Sequence, residues 1–135
     1  MSTDLLIRFA IVILLILAGY VGFQLINQIT LARAGHKKNS HLFPLGKPTL
    51  LYFTTPTCAP CKTVQRPAIN LIRENLGEKI QVIEIDASAQ PKIASLWGVL
   101  SVPTTFIIDQ QGKPRHVNHG IASSHKLQRQ FAEIL

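Results

Sequence analysis

The sequence predicts an α/β domain of order β-α-β-α-β-β-α, carried behind one membrane-spanning helix. Three observations predict it. Leu5 to Ile26 is an almost unbroken apolar run, of the length a helix needs to cross a bilayer. Beyond residue 48, short stretches of strand character alternate with stretches of helical periodicity. Between the first such strand and the first such helix sits Cys58-Ala59-Pro60-Cys61, which holds both cysteines of the chain.

At 135 residues the chain has room for one domain and an appendage. Its 47% hydrophobic content is concentrated at the N-terminus. Arg8 and Gln24 are the polar interruptions near the two ends of the apolar run, and Tyr20 and Phe23 suit a lipid–water interface. A cleavable signal is the competing reading, since Ala32-Arg33-Ala34 is an A-x-A pattern. That pattern lies well past the run, which is longer than a signal's apolar region, so a retained anchor over residues 1–28 is expected. Residues 29–47 then read as a short helical extension and a basic juxtamembrane linker, punctuated by Gly35, Asn39, Ser40, Pro44 and Gly46. His36 and His41 read as solvated linker histidines, and residues 42–47 are a candidate remnant strand.

The net charge of +7 is local rather than general. Residues 27–47 contribute Arg33, Lys37, Lys38 and Lys47 and no acid, whereas residues 48–135 are near balance. With no aromatic-plus-basic pattern and no recognition helix, no nucleic-acid partner is expected. A basic segment beside an apolar helix instead suits anionic lipid.

Within 48–135, Thr49 to Thr54 reads as a buried strand. Thr57 or Cys58 caps the next helix, which runs to about Asn75, stops at Gly77 and is kinked by Pro67. Val64, Ala68, Ile69, Leu71, Ile72 and Leu76 form its core-facing stripe. Lys79 to Asp86 is the second strand, Pro91 to Trp97 a short helix ended by Gly98, and Thr104 to Asp109 the third strand. Asp109-Gln110-Gln111-Gly112 turns into an edge strand over Pro114 to Asn118, and Ser123 or Ser124 caps a final helix with Leu127, Phe131 and Ile134 inward.

The cysteine pair carries the chemistry. At a helix N-terminus, orphan N–H groups and the helix dipole favour a thiolate, and the thiolate is the nucleophile. Cys58 stands at that position, Lys62 adds positive charge, and Cys61 follows one turn later, placed to resolve a mixed disulfide. Pro60 falls where its missing N–H costs little. Half a zinc site is the alternative, but zinc wants four ligands and there is no second C-x-x-C. His116 and His119, three apart on a strand, point to opposite faces, and His125 lies beyond.

Cys58-Ala59-Pro60-Cys61-Lys62 resembles the C-G-P-C-K motif of thioredoxins, with Ala for Gly. Leu96-Trp97-Gly98-Val99-Leu100-Ser101-Val102-Pro103-Thr104 resembles the family's Y-G-V-x-x-V-P-T block, and Gly112 and Gly120 resemble its two hairpin glycines. The resemblance covers residues 48 to 135. It implies a thioredoxin-like fold, a central mixed sheet flanked by helices. It also implies a cis bond before Pro103, facing the dithiol, and a Val102 backbone that pairs with extended substrate. Trp97 is expected in the core near the dithiol. The implied activity is thiol–disulfide exchange with partner proteins, with no cofactor beyond the Cys58–Cys61 disulfide. Electrons would come from a separate thiol reductase or a transmembrane carrier, since no flavin or nicotinamide motif is present.

Reduction is the favoured direction; disulfide donation and copper or zinc handling are the alternatives. Two positions depart from the family pattern. Thr57 stands where Trp usually precedes the first cysteine, and Tyr52 stands where a buried Asp is usual, with Glu84 on the next strand as the nearest substitute acid. Lys37 and Lys38 after the apolar run favour a cytoplasmic domain, whereas the resemblance favours the opposite side.

Overall fold

The computed structural model describes residues 2–34 and 46–135. Most of the linker lies outside them, including Gly35, His36, Lys37, Lys38, Asn39, Ser40, His41 and Pro44, as does most of the candidate strand at 42–47.

Helix α1 (Ser2–Ala34) holds the apolar run and continues past it. Its stretch from Thr3 to Ala34 contains an 18-residue window of mean hydropathy 2.5 and is long and apolar enough to cross a membrane. At 1.5 Å per residue, 33 residues reach roughly 50 Å, well beyond a hydrocarbon core of about 30 Å. The last turns have a second role. Thr30 and Ala34 are buried, and Ala34 packs with Leu51, Phe53 and Trp97 in the core of the domain.

Four strands form one mixed sheet in the order β2-β1-β3-β4. They are β1 (Thr49–Thr54), β2 (Gln81–Asp86), β3 (Thr104–Ile108) and β4 (Pro114–His119). β1 is central, parallel to β2 and antiparallel to β3, and is buried along its whole length. That explains its apolar run without alternation. β4 is an edge strand, paired antiparallel to β3, and tolerates Pro114 because the register shifts between Ile107 and Ile108.

Side chains alternate across β1 and so build two cores. Leu50 and Tyr52 face one, with Ile69 and Ile72 of α2 (Arg66–Leu76), Leu127 and Phe131 of α4 (Ser124–Ala132), and both cysteines. Leu51 and Phe53 face the other, with Ala94 of α3 (Pro91–Leu96), Trp97, Phe106 and Ala34. In that second core Trp97 meets Phe106 edge-on at 5.0 Å, and Phe53 meets Phe106 likewise at 5.9 Å. Truncating a ring of such a cluster to Ala costs about 3–5 kcal/mol. Ser123 caps α4 by accepting from the Lys126 N–H.

The helix after the cysteines departs from simple periodicity. A single π-helical turn, Cys61–Gln65, precedes α2. The Arg66 N–H reaches back five residues to the Cys61 carbonyl, and Pro67 supplies no N–H to a regular ladder. The expected kink is taken up as this one-residue bulge. Within the bulged turn, Cys61 and Gln65 face inward. Gln65 is fully buried, while Val64 and Leu71, expected on the inner stripe, are about half exposed. At the far end Gly77 takes φ +51° and its N–H closes on the Arg73 carbonyl.

Candidate functional site

β1 delivers the chain to the site. After Thr54 a turn closes with the Cys58 N–H donating to the Thr55 carbonyl at 3.2 Å. Ala59 and Pro60 begin the helical run, Pro60 at φ −64° as its ring requires. Cys58 and Cys61 are joined as a disulfide, with their Cα atoms 5.3 Å apart. Cys58 is 8% exposed and Cys61 0%. The Cys61 N–H donates to Cys58 Sγ at 3.2 Å, so the outer sulfur sits against an amide of the helix mouth. An anion at that sulfur would gain from the amide and from the helix dipole. Lys62, in the same turn, is exposed.

Beneath Cys61 lies Tyr52. Its hydroxyl donates to the Cys61 carbonyl at 3.2 Å, and its ring is buried. Burial first, then the nearby Glu84 carboxylate, pushes the phenol's pKa above its ordinary value, against a hydrogen bond with Thr54 and the Arg66 charge. Tyr52 is therefore a donor at neutral pH. Glu84, its neighbour in register on β2, is about half exposed and paired with Arg66 at 2.8 Å. It is a solvated carboxylate engaged at the surface.

The Val102–Pro103 bond is cis. Val102 packs against the core that holds both cysteines and also against the opposite one, so the loop spans the end of the sheet at the dithiol side. Gly120, at φ +85°, donates its N–H to the Pro103 carbonyl at 2.9 Å. An open groove beside this loop is lined by Thr55, Ser88, Gly98, Ser101, Val102 and, from the end of α1, Arg33. Trp97 is buried, but in the core on the other face of the sheet from the cysteines, because Leu51 and Phe53 rather than Tyr52 line its pocket.

Sequence reasoning missed Gln65. Its side-chain amide is wholly buried and donates to the Ala122 carbonyl at 3.0 Å, while its oxygen accepts from the Ala122 N–H at 2.8 Å. A polar residue two positions before a helix-breaking Pro was the available signal.

Among the described residues, no three His, Cys, Asp or Glu side chains converge as a metal site would need. His116 bonds Glu133 at 2.8 Å, and His119, partly buried, has its pKa lowered by desolvation.

A family model described as Thioredoxin matches residues 29–133. The chain belongs to the thioredoxin family. The match begins inside α1, at the turns whose Thr30 and Ala34 are buried against the sheet. The rice chloroplast thioredoxin Y (Oryza sativa subsp. japonica) is 36% identical over 89 residues, which is 66% of this chain and 52% of that protein. This chain thus spans about half the length of that relative. A thioredoxin-like protein of Synechocystis is 32% identical over 63% of this chain and 79% of its own length. Among solved structures, a malarial protein aligns with a TM-score of 0.61 at 20% identity, covering 66% of this chain and 98% of its own. A DsbF homologue from Corynebacterium diphtheriae aligns at 0.57 and 21% identity, over 66% and 73%. At those identities the structures establish the thioredoxin fold.

Proposed function

We propose that this thioredoxin-family protein is a membrane-tethered thiol–disulfide oxidoreductase that reduces disulfides in partner proteins. One observation carries the reading. The outer sulfur, Cys58, receives an amide N–H at a helix mouth, while Cys61 is sealed behind it. In the reduced protein the Cys58 thiolate attacks a partner disulfide. A Cys58–partner bond forms, and one partner sulfur leaves as a thiolate. The Cys61 thiolate then attacks Cys58 Sγ, closing the disulfide seen here and releasing the second partner thiolate. Two electrons pass to the partner, and an external dithiol must return them. Val102 at the cis bond offers backbone for an extended substrate beside the sulfurs.

Tethering is supported by the apolar helix from Thr3 to Ala34. Retention in membranes through an alkaline carbonate wash is the expected result; release into the supernatant overturns the tether.

The test of the chemistry is turnover of a protein disulfide such as insulin, with a dithiol as donor. Cys58→Ser should abolish it. Cys61→Ser should accumulate partner adducts on Cys58. A reduction potential near that of general thioredoxins, about −270 mV, supports the reductive direction; one near −120 mV would make the protein a disulfide donor. Metal copurifying stoichiometrically with the reduced dithiol, without turnover, would overturn the redox reading.

A further inference from the structure

We infer that Gln65 is a positioning residue that holds the resolving cysteine in register with the cis-proline loop. The inference rests on the thiol–disulfide reading and goes one residue beyond it.

The π turn that carries Cys61 is pinned at both ends. At its start the Cys61 carbonyl accepts from the Arg66 N–H and from the Tyr52 hydroxyl. At its end Gln65 clasps both polar groups of one peptide residue, Ala122, at 2.8 and 3.0 Å. Ala122 is two residues past Gly120, whose N–H bonds the Pro103 carbonyl at 2.9 Å. Cys61, Gln65, Ala122, Gly120 and Pro103 therefore form one continuous tie of backbone and hydrogen bonds. It joins the turn bearing the buried sulfur to the loop expected to hold substrate. Gln65, Ala122 and Cys61 are all fully buried, so water does not compete for the clasp. Fifty-seven residues separate the two partners, so the tie is tertiary and not a local cap.

The π bulge gives the clasp its reason. A bulged turn has a looser ladder than an α-helix and would let Cys61 drift relative to Cys58 and the loop. Closing a disulfide from a mixed disulfide depends on how well the attacking sulfur is placed beforehand. Fixing the turn through Ala122 raises the effective concentration of Cys61 at the Cys58 sulfur.

The experiment uses the full-length protein with Gln65→Leu, which keeps the bulk and loses both bonds, and Gln65→Met as the second variant. Insulin turnover by the unmodified protein is established first. Its absence overturns the thiol–disulfide reading itself and is thereby told apart from a failure of the clasp. The clasp predicts that the equilibrium constant for closing Cys58–Cys61 falls about tenfold, read as a rise of about 30 mV in the two-electron potential. It also predicts that the mixed disulfide with a model substrate lives about tenfold longer, with unchanged attack by Cys58. Variants that fold with the parent's potential and resolution rate overturn the inference. So do variants that both fail to fold, since Gln65 would then be a determinant of the fold and not of sulfur placement.

Discussion

The Tyr52 hydroxyl bonds the carbonyl of Cys61 at 3.2 Å, so the strand that leads into the site also supports its second sulfur from below. The carbonyl keeps its bond from the Arg66 N–H whether or not Tyr52 is present. Tyr52→Phe should therefore cost only about 1 kcal/mol of stability, a shift of several degrees in melting temperature. A loss above about 3 kcal/mol in denaturant titration would mean that the hydroxyl supports more than this one bond.

Asn118 and Gln130 exchange amide hydrogen bonds at 2.9 and 3.0 Å across the interface of β4 and α4, and Asn118 also donates to the Thr105 hydroxyl. Both are buried. Replacing either alone by Leu leaves the other short of its two shared bonds, at about 2–3 kcal/mol. Replacing both should cost clearly less than the sum of the singles, with a coupling of about 1–2 kcal/mol in a double-mutant cycle. Strict additivity would show that the two amides are independent.

His119 gives stability a pH dependence of defined sign. Burial holds its folded pKa below the ordinary 6.5. Between those two values the unfolded chain takes up a proton that the folded chain does not. The contribution is present in full above pH 6.5, declines as pH falls through the lowered folded value, and levels off below it. His119→Phe also removes a buried ring nitrogen, Nε2, that has no hydrogen-bond partner among the described residues. Urea midpoints measured across that window should fall less steeply in the variant than in the parent; parallel curves would contradict the assignment.

Gly98 takes φ +67° where α3 gives way to the loop, and a Cβ there would lie 3.6 Å from the Thr30 methyl of α1. That separation is ordinary contact, so the backbone conformation sets the cost of Ala, about 1–2 kcal/mol. Asn should cost less than Ala, because it tolerates the left-handed region, and Val should cost most. A melting series that departs from the order Asn, Ala, Val would relocate the strain.

Strand and helix positions were legible because periodicity and turn residues are local signals. Thr49–Thr54, the stop at Gly77 and the cap at Ser123 all follow from neighbours within a few residues. Tertiary effects were not legible. Val64 and Leu71 satisfy a 3.6-residue stripe, yet both are about half exposed while Ala68, Ile69 and Ile72 of the same stripe are buried, so they lie at its edges where only the packed neighbours decide burial. Gln65 with Ala122, and Asn118 with Gln130, are pairings whose donors find their acceptors only once the sheet is assembled. Trp97 was readable as core, yet which side of the sheet it fills depends on the parity of β1.

The burial of Ala34 bears on how a tethered protein meets its partners. A domain on a floppy leash sweeps a hemisphere and searches for them. Here the apolar stretch ends near Ile26 and the packed turns end at Ala34, a rise of roughly 12 Å along one unbroken helix. With α1 in a bilayer, the sulfurs would ride on a strut at a fixed height and heading. Such a mast would select by geography: disulfides presented at that level would be served, and those held farther out would have to come down to it.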